Sequence, residues 1–170
     1  MARDDAGGRG CRAEARVDSG RVLLSSCVDR GFCGQLEGYG YLRGGELDPL
    51  EAAFQASRGL ICVAGSHGWA AALEVLSASG THLDLALVYF DLRRKGRKPK
   101  PGVRRGTLVY VHGGRVYEVL VLSEGYPASL GELVEWSRGA IADSHTPIVA
   151  VVDRTGLVTY YEARAVTSLS

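Results

Sequence analysis

A pair of glycines, Gly113-Gly114, separates two runs of strand-forming residues, TLVYVH and RVYEVLVL. Two-residue loops between antiparallel strands favour turns whose central residues have positive φ, a conformation that glycine adopts readily. The sequence therefore predicts a tight β-hairpin over residues 107–122. Further apolar runs at 148–153 and 157–163 predict two more strands, joined by a turn at Arg154-Thr155-Gly156, so this part of the chain is expected to build a sheet.

Helical signals flank the hairpin. Apolar residues recur at helical spacing over 81–96, and Ser129 with Glu132 forms a capping box for a helix that extends to about residue 141. We predict an α+β fold, with a small N-terminal α/β domain at residues 17–80. A C-terminal domain at residues 81–170 is predicted to be a mixed sheet packed with helices.

The N-terminal domain is predicted to open with two strands, at 21–27 and 39–42, joined by a glycine-rich turn around Gly31 and Gly34. Two helices follow, one capped by Asp48 and one by Ser66. Residues 1–16 are polar and glycine-rich, and they are predicted to be a disordered tail.

The bulk properties exclude several classes of protein. A net charge of +1 argues against a generally basic nucleic-acid coat, so any RNA contact must come from local patches. Since no stretch approaches the roughly 20 apolar residues that span a bilayer, and no signal peptide is apparent, the sequence indicates a cytoplasmic protein.

The four cysteines, Cys11, Cys27, Cys33 and Cys62, have spacings that match no zinc module. We expect no metal and no cofactor. Cys27 and Cys33 flank a short turn and can pair, but free, partly buried thiols are the interpretation that we favour.

Four stretches carry a more specific pattern. They are DPLEAAFQASRGLICV at 48–63, VYFDLRRKGRKPKPG at 88–102, GTLVYVHGGRVYEVLVLSE at 106–124 and IVAVVDRTGLVTYYEAR at 148–164. In this order they resemble the archaeal tRNA-intron splicing endonuclease family, whose C-terminal hairpin has an AVVD-x-x-G-x-V-x-YY pattern. The family resemblance implies metal-independent cleavage of RNA, in which a Tyr, a His and a Lys serve as base, acid and cation and a 2′,3′-cyclic phosphate is left.

The residues at those three positions argue against catalysis by this chain. Tyr110 matches the family tyrosine, but the histidine position falls near Gly114 and the lysine position near His145. The three lysines of the chain all lie at or before residue 100. The resemblance therefore indicates a non-catalytic, structural subunit, in which Tyr110 is a relict.

The run from residue 93 to residue 105 holds eight basic residues among thirteen. We call it the basic turn, and it is a candidate for phosphate contact with RNA. A solvated turn after a helix is the alternative. Its basic residues are Arg93, Arg94, Lys95, Arg97, Lys98, Lys100, Arg104 and Arg105.

Two further regions are candidates for contact with a partner. Glu124 follows a hydrophobic strand, where family structural subunits present an acidic loop that docks on the partner, although a solvated strand-end carboxylate is the alternative. Val158, Tyr160 and Tyr161 lie in the last strand, which in the family builds the sheet between subunits. Burial of each side chain within its own domain is the other interpretation.

Our hypothesis is therefore a structural subunit of a tRNA-splicing endonuclease. The resemblance implies a homologous catalytic partner, a heterotetramer of two plus two subunits, and precursor tRNA with bulge-helix-bulge junctions as substrate. One alternative is a self-sufficient RNA endonuclease with an altered Tyr110/His112 site, in which Arg115 or Arg138 supplies the positive charge. A second alternative is a stand-alone RNA-binding module that uses the basic turn.

Overall fold

Two units divide the chain, Met1–Thr81 and His82–Ser170, in a computed structural model that describes residues 10–163. Each unit contains one five-stranded sheet together with helices. The predicted α+β fold class is confirmed. In the described part of the chain, no helix has the length and apolar character needed to cross a membrane.

The first unit has a sheet of strand order β3-β4-β2-β1-β5, in which β1 and β5 are parallel. Its apolar side chains, among them Val22, Ile61 and Phe54, are buried between the sheet and the helices. The elements are β1 Ala13–Asp18, β2 Arg21–Cys27, α1 Arg30–Gly38, β3 Leu42–Arg43, β4 Glu46–Leu47, α2 Pro49–Ser57, β5 Ile61–Val63 and α3 Trp69–Ala78.

The predicted disordered tail was too long. Residues 13–16 belong to β1, where Ala13 and Ala15 are buried, and β1 pairs with both β2 and β5. The alanine side chains at these alternate positions are small and give only a weak apolar signal in the sequence. Residues 1–9 lie outside the described residues.

The glycine-rich turn predicted around Gly31 and Gly34 was also wrong, because these residues lie in α1. Asp29 caps this helix by accepting a hydrogen bond from the Phe32 amide at 3.0 Å. Burial of Phe32 and Leu36 together with the cap outweighs the cost of glycine in a helix, about 1 kcal/mol each.

The second predicted cap was misplaced as well. Helix α3 begins after Gly68, and no side chain caps it. Ser66 instead forms a tight turn with Val63, in which each backbone amide donates to the other residue's carbonyl oxygen at 2.7 and 2.8 Å. Ala64 and Gly65, the central residues, both have positive φ. This turn reverses the chain directly after β5.

All four cysteines are paired, so the interpretation as free thiols was wrong. Cys11 bonds to Cys62, and Cys27 bonds to Cys33. The first bond ties the residues before β1 to β5. The second ties the end of β2 to the first turn of α1, which the sequence did not predict as a helix.

The second unit has a sheet of strand order β10-β9-β8-β7-β6. The pair β8–β9 is parallel and the other pairs are antiparallel. Parallel neighbours need a long crossover, and α5 provides it. The elements are α4 Leu83–Arg94, β6 Lys100–Pro101, β7 Thr107–His112, β8 Arg115–Ser123, α5 Leu130–Ala142, β9 His145–Val152 and β10 Val158–Glu162.

Each helix of this unit contacts a different face of the sheet. Trp136 of α5 donates a hydrogen bond to Glu118 of β8, whereas Asp91 of α4 accepts one from Tyr160 of β10. Strand register places Glu118 and Tyr160 on opposite faces, because Tyr160 aligns through Ala150 with Val121. We call these the α5 face and the α4 face.

Candidate functional site

The β7–β8 hairpin presents Tyr110 and His112 on the α4 face. Gly113 and Gly114 form its two-residue turn with φ of 57° and 74°, as predicted. Gly114 has no side chain to offer at the position where the resemblance places a histidine. His112 lies two residues beyond Tyr110 on the same strand face, and it is exposed.

Tyr110 is stacked on Tyr117, its cross-strand partner, with ring centroids 5.0 Å apart and ring planes at 9°. Burial raises the pKa of the Tyr110 phenol, and the neighbouring Tyr117 adds to this, while the positive charge of Arg97 opposes it. A phenol with a raised pKa stays protonated at neutral pH. Tyr110 is therefore poorly prepared to act as a general base.

Arg97 of the basic turn is hydrogen-bonded to His112, with 2.9 Å between Nη1 and Nδ1. A guanidinium can only donate, so Nδ1 of His112 is the acceptor and any proton on the neutral ring sits on Nε2. The α4 face thus joins a phenol, an imidazole and a guanidinium. Sequence reasoning missed Arg97 in this role. Arg115 pairs with His112 across the hairpin, whereas Arg138 lies on α5.

His145, at the position where the resemblance places a lysine, projects from the α5 face. Tyr110 aligns through Tyr117 with Thr146, and His145 is the residue before Thr146 on β9. Adjacent residues of a strand project to opposite sides of the sheet. The Tyr110 and His145 side chains therefore do not meet in one site.

His145 belongs instead to a cluster around Glu118, a carboxylate that is only 2% exposed. Oε2 of Glu118 lies 3.0 Å from Nδ1 of His145, and Trp136 donates to Oε1 at 3.0 Å. Arg104 donates to both oxygens at 2.9 and 2.8 Å. We call these four side chains the Glu118 cluster.

The charge of Glu118 is stabilised within this cluster. Burial alone raises the pKa of a carboxyl group, but the hydrogen bonds from His145, Arg104 and Trp136 outweigh it and lower the Glu118 pKa. Arg104 also donates to Asp143 at 2.7 Å. Arg104 therefore supplies the positive charge that two carboxylates share, and its guanidinium is directed into its own domain.

The other residues of the basic turn differ in exposure. Arg94, Lys95, Lys98 and Arg105 are exposed, whereas Arg93, Arg97 and Lys100 are partly buried. Lys95 forms an ion pair with Asp91 at 2.6 Å. The exposed side chains give the turn a positively charged surface, whereas the Arg104 guanidinium is engaged by Glu118 and Asp143.

Glu124 is exposed in the loop after β8, which fits both a docking residue and a solvated strand-end carboxylate. Its Oε2 atom accepts a hydrogen bond from the backbone amide of Arg154 at 3.1 Å, and its amide donates to the Val152 carbonyl oxygen at 2.8 Å. The Glu124 loop is thereby fixed against the β9–β10 turn.

Within residues 10–163 the last strand is β10, which lies at the edge of the sheet beside β9. Tyr161 is 57% exposed on the α5 face and Val158 is partly buried. Tyr160 is used within the domain, because its hydroxyl donates to Asp91 at 2.6 Å and Lys95 lies 4.5 Å from its ring centroid. Burial and the Asp91 carboxylate both raise the Tyr160 pKa.

Comparison with known families identifies both units. Residues 11–79 match the model of the tRNA-intron endonuclease SEN2-like N-terminal domain. Residues 82–160 match the model of the tRNA intron endonuclease catalytic C-terminal domain. No curated protein sequence matches the chain.

Proposed function

Because this chain carries the N-terminal and the catalytic C-terminal domain of the tRNA-intron endonuclease family, we propose that it is the non-catalytic, structural subunit of a tRNA-splicing endonuclease. One observation carries the proposal. The three family positions hold a stacked, partly buried tyrosine, a glycine and a histidine on the far side of the sheet. They are Tyr110, Gly114 and His145.

The chemistry of the family gives this observation its weight. Attack of a 2′-hydroxyl on the neighbouring phosphate needs a base, an acid for the leaving oxygen and a cation near the developing charge. Each acid or base contributes roughly 10²–10⁴-fold, and an electrostatic stabiliser about 10²–10³-fold. A chain that lacks two of the three is expected to be nearly inert by itself.

A homologous catalytic subunit then has to supply Tyr, His and Lys, in an assembly that we propose to be two plus two. Among the described strands β10 is at the edge of its sheet, and this position together with the exposed Tyr161 supports pairing with another chain there. Glu124 supports a docking contact, since its loop is held in a fixed conformation that costs little entropy to bind.

The substrate in this proposal is precursor tRNA with bulge-helix-bulge junctions. The exposed basic side chains Arg94, Lys98 and Arg105 are suited to phosphate contacts at the flanks of such a junction. An archaeal cytoplasm is the proposed setting, and the two disulfides are compatible with a thermophilic archaeon.

One observation favours a second candidate, a self-sufficient endonuclease. Arg97 brings a positive charge to His112 and Tyr110, so an altered base, acid and cation share the α4 face. The raised Tyr110 pKa weighs against this candidate.

Cleavage of an intron-containing precursor tRNA separates the two. The purified chain is assayed alone and then with the catalytic homologue, with wild-type chain and a His112→Ala variant in parallel. We expect no cleavage by the chain alone, and equal cleavage by both mixtures. Cleavage by the chain alone that His112→Ala abolishes would establish the second candidate and remove the first.

A further inference from the structure

Three side chains that can bind a transition metal meet at the edge of the first unit. They are Cys11, Cys62 and His67, and their sulfur and nitrogen atoms all lie within 4.8 Å of one another. In the structure the two sulfurs are bonded to each other. His67 is exposed and the cysteines are partly buried, so the group is accessible to solvent.

The tight turn after β5 brings His67 to this place. Val63 and Ser66 exchange hydrogen bonds across the Ala64-Gly65 turn. Because the two chain segments run antiparallel from this turn, His67 lies opposite Cys62. The short hairpin over residues 62–67 therefore brings His67 to Cys62, and its backbone hydrogen bonds do not depend on the disulfide. Sequence reasoning did not detect the site because Cys11 is 51 residues from Cys62.

Strand β1 positions Cys11, the third member of the group, because Cys11 lies just before this strand. It runs parallel to β5, with Ala13 paired to Ile61, and the Arg12 amide donates to the Leu60 carbonyl oxygen at 2.9 Å. These backbone contacts hold Cys11, the residue before Arg12, beside β5. The approach of Cys11 to Cys62 therefore has support from the sheet as well as from the sulfur–sulfur bond.

We propose that Cys11, Cys62 and His67 form a redox-gated zinc site. A dithiol reductant donates two electrons and two protons to the disulfide and is itself oxidised to a disulfide, which leaves two thiols at the site. Zn²⁺ then displaces the two thiol protons to solvent and binds two thiolates and one imidazole nitrogen, with water at the fourth position.

The donor types select the metal. Two soft sulfurs and one imidazole suit Zn²⁺ better than Mg²⁺ or Ca²⁺, which prefer oxygen. While the disulfide is intact the sulfurs offer no thiolate, so oxidation closes the site. The first unit is thereby held at the same place by a covalent bond when oxidised and by a metal when reduced.

The test uses the full-length chain with Zn²⁺ alone as the probe. Protein is reduced with a phosphine, freed of reductant under nitrogen and titrated against a chromophoric zinc chelator. Co²⁺ in place of Zn²⁺ reports sulfur ligation through its thiolate charge-transfer absorption. We expect one tightly bound Zn²⁺ per reduced chain and none per oxidised chain. Circular dichroism confirms that each form is folded.

Three variants identify the ligands. Cys11→Ser/Cys62→Ser keeps the other two cysteines and should lose the tight site and the charge-transfer band. His67→Ala changes an exposed side chain and should weaken zinc binding by at least about tenfold, whereas His82→Ala, an exposed histidine elsewhere, should not. Zinc binding by the reduced chain that none of these changes affects, or no binding at all, would overturn the proposal.

Discussion

Tyr110 and His145 project from opposite faces of one sheet, although the family likeness relates both positions to catalytic side chains. Tyr110 lies on the α4 face beside Arg97, and His145 lies on the α5 face against Glu118. The register of three paired strands fixes this separation. A single side-chain replacement therefore cannot bring the two positions together.

Replacing His145 by lysine should not give the chain activity of its own. In His145→Lys the ammonium group faces the Glu118 carboxylate, where it forms a buried ion pair rather than a catalytic contact. We expect no cleavage of precursor tRNA by the variant alone, measured by end-labelled product and 2′,3′-cyclic phosphate termini. Products with those termini would contradict the assignment of His145 to the α5 face.

Removal of the Tyr110 hydroxyl should leave the activity of the proposed assembly unaffected. Phenylalanine keeps the stacking on Tyr117, and the raised pKa makes the phenol a poor base. In the proposed complex with a catalytic homologue, Tyr110→Phe should change the single-turnover cleavage rate by less than about twofold. A general base would show a loss of roughly 10²–10⁴-fold in the same measurement.

Glu118 should make the second unit sensitive to acid. Its folded-state pKa lies below the ordinary glutamate value of about 4.3, so its stabilisation is complete above that pH and is lost as the pH falls through the lowered pKa. Glu118→Gln should cost about 2–3 kcal/mol at neutral pH and flatten the dependence of unfolding free energy on pH below about 4.3.

Urea unfolding followed by Trp136 fluorescence measures this effect, in a Trp69→Phe background that leaves one tryptophan in the chain. Glu135→Gln, on the exposed surface of α5, is the matched control and should retain the acid sensitivity. Equal pH profiles for Glu118→Gln and the unsubstituted background would contradict the lowered pKa.

The two disulfides should differ in their effect on the first unit. A bond that closes a longer loop removes more entropy from the unfolded chain. The separations of 51 and 6 residues give about 4 kcal/mol for Cys11–Cys62 and about 2 kcal/mol for Cys27–Cys33. We expect Cys11→Ser/Cys62→Ser to lower the urea midpoint more than Cys27→Ser/Cys33→Ser, by Trp69 fluorescence in a Trp136→Phe background. The reverse order would show that local packing around α1 dominates.

Loss of exposed charge from the basic turn should weaken RNA binding in a salt-dependent way. Each phosphate contact contributes about 0.7–0.9 to the slope of log affinity against log salt concentration. Arg94→Ala/Arg105→Ala should reduce that slope by up to twice this amount, measured by filter binding of precursor tRNA to the proposed complex. Arg138→Ala, an exposed arginine on α5, should leave the slope unchanged. An unaltered slope in the double variant would mean that these arginines make no phosphate contact and that the turn is a solvated surface.

The second unit could be predicted well because its signals are local. Gly113-Gly114 specifies its hairpin, and the Ser129 cap specifies the start of α5, with the Ser129 hydroxyl accepting from the Glu132 amide. The first unit was harder to predict, since α1 contains three glycines. Its helix depends on burial of Phe32 and on a disulfide, neither of which is a local pattern.

Prediction of the site was limited in the same way, because its geometry depends on non-local strand pairing. Tyr110, Gly114 and His145 follow from sequence likeness, but their opposite faces follow from the pairing of three strands. Arg97 and Arg104 belong to one basic run, yet Arg97 contacts His112 on the α4 face and Arg104 contacts Glu118 on the α5 face. One signal was available in the sequence: Glu118 is a charged residue inside an apolar strand, and a buried carboxylate requires partners.

The parallel pairing of β8 with β9 also governs how the second unit assembles. The strand pairs β7–β8 and β9–β10 each join neighbouring segments, whereas β8–β9 joins Val116 to His145 across the whole of α5. Closing that loop costs entropy before any contact forms, so the two hairpins should appear early and dock late. On a growing chain, β8 of the β7–β8 hairpin therefore lacks its partner strand until α5 and β9 have been synthesised.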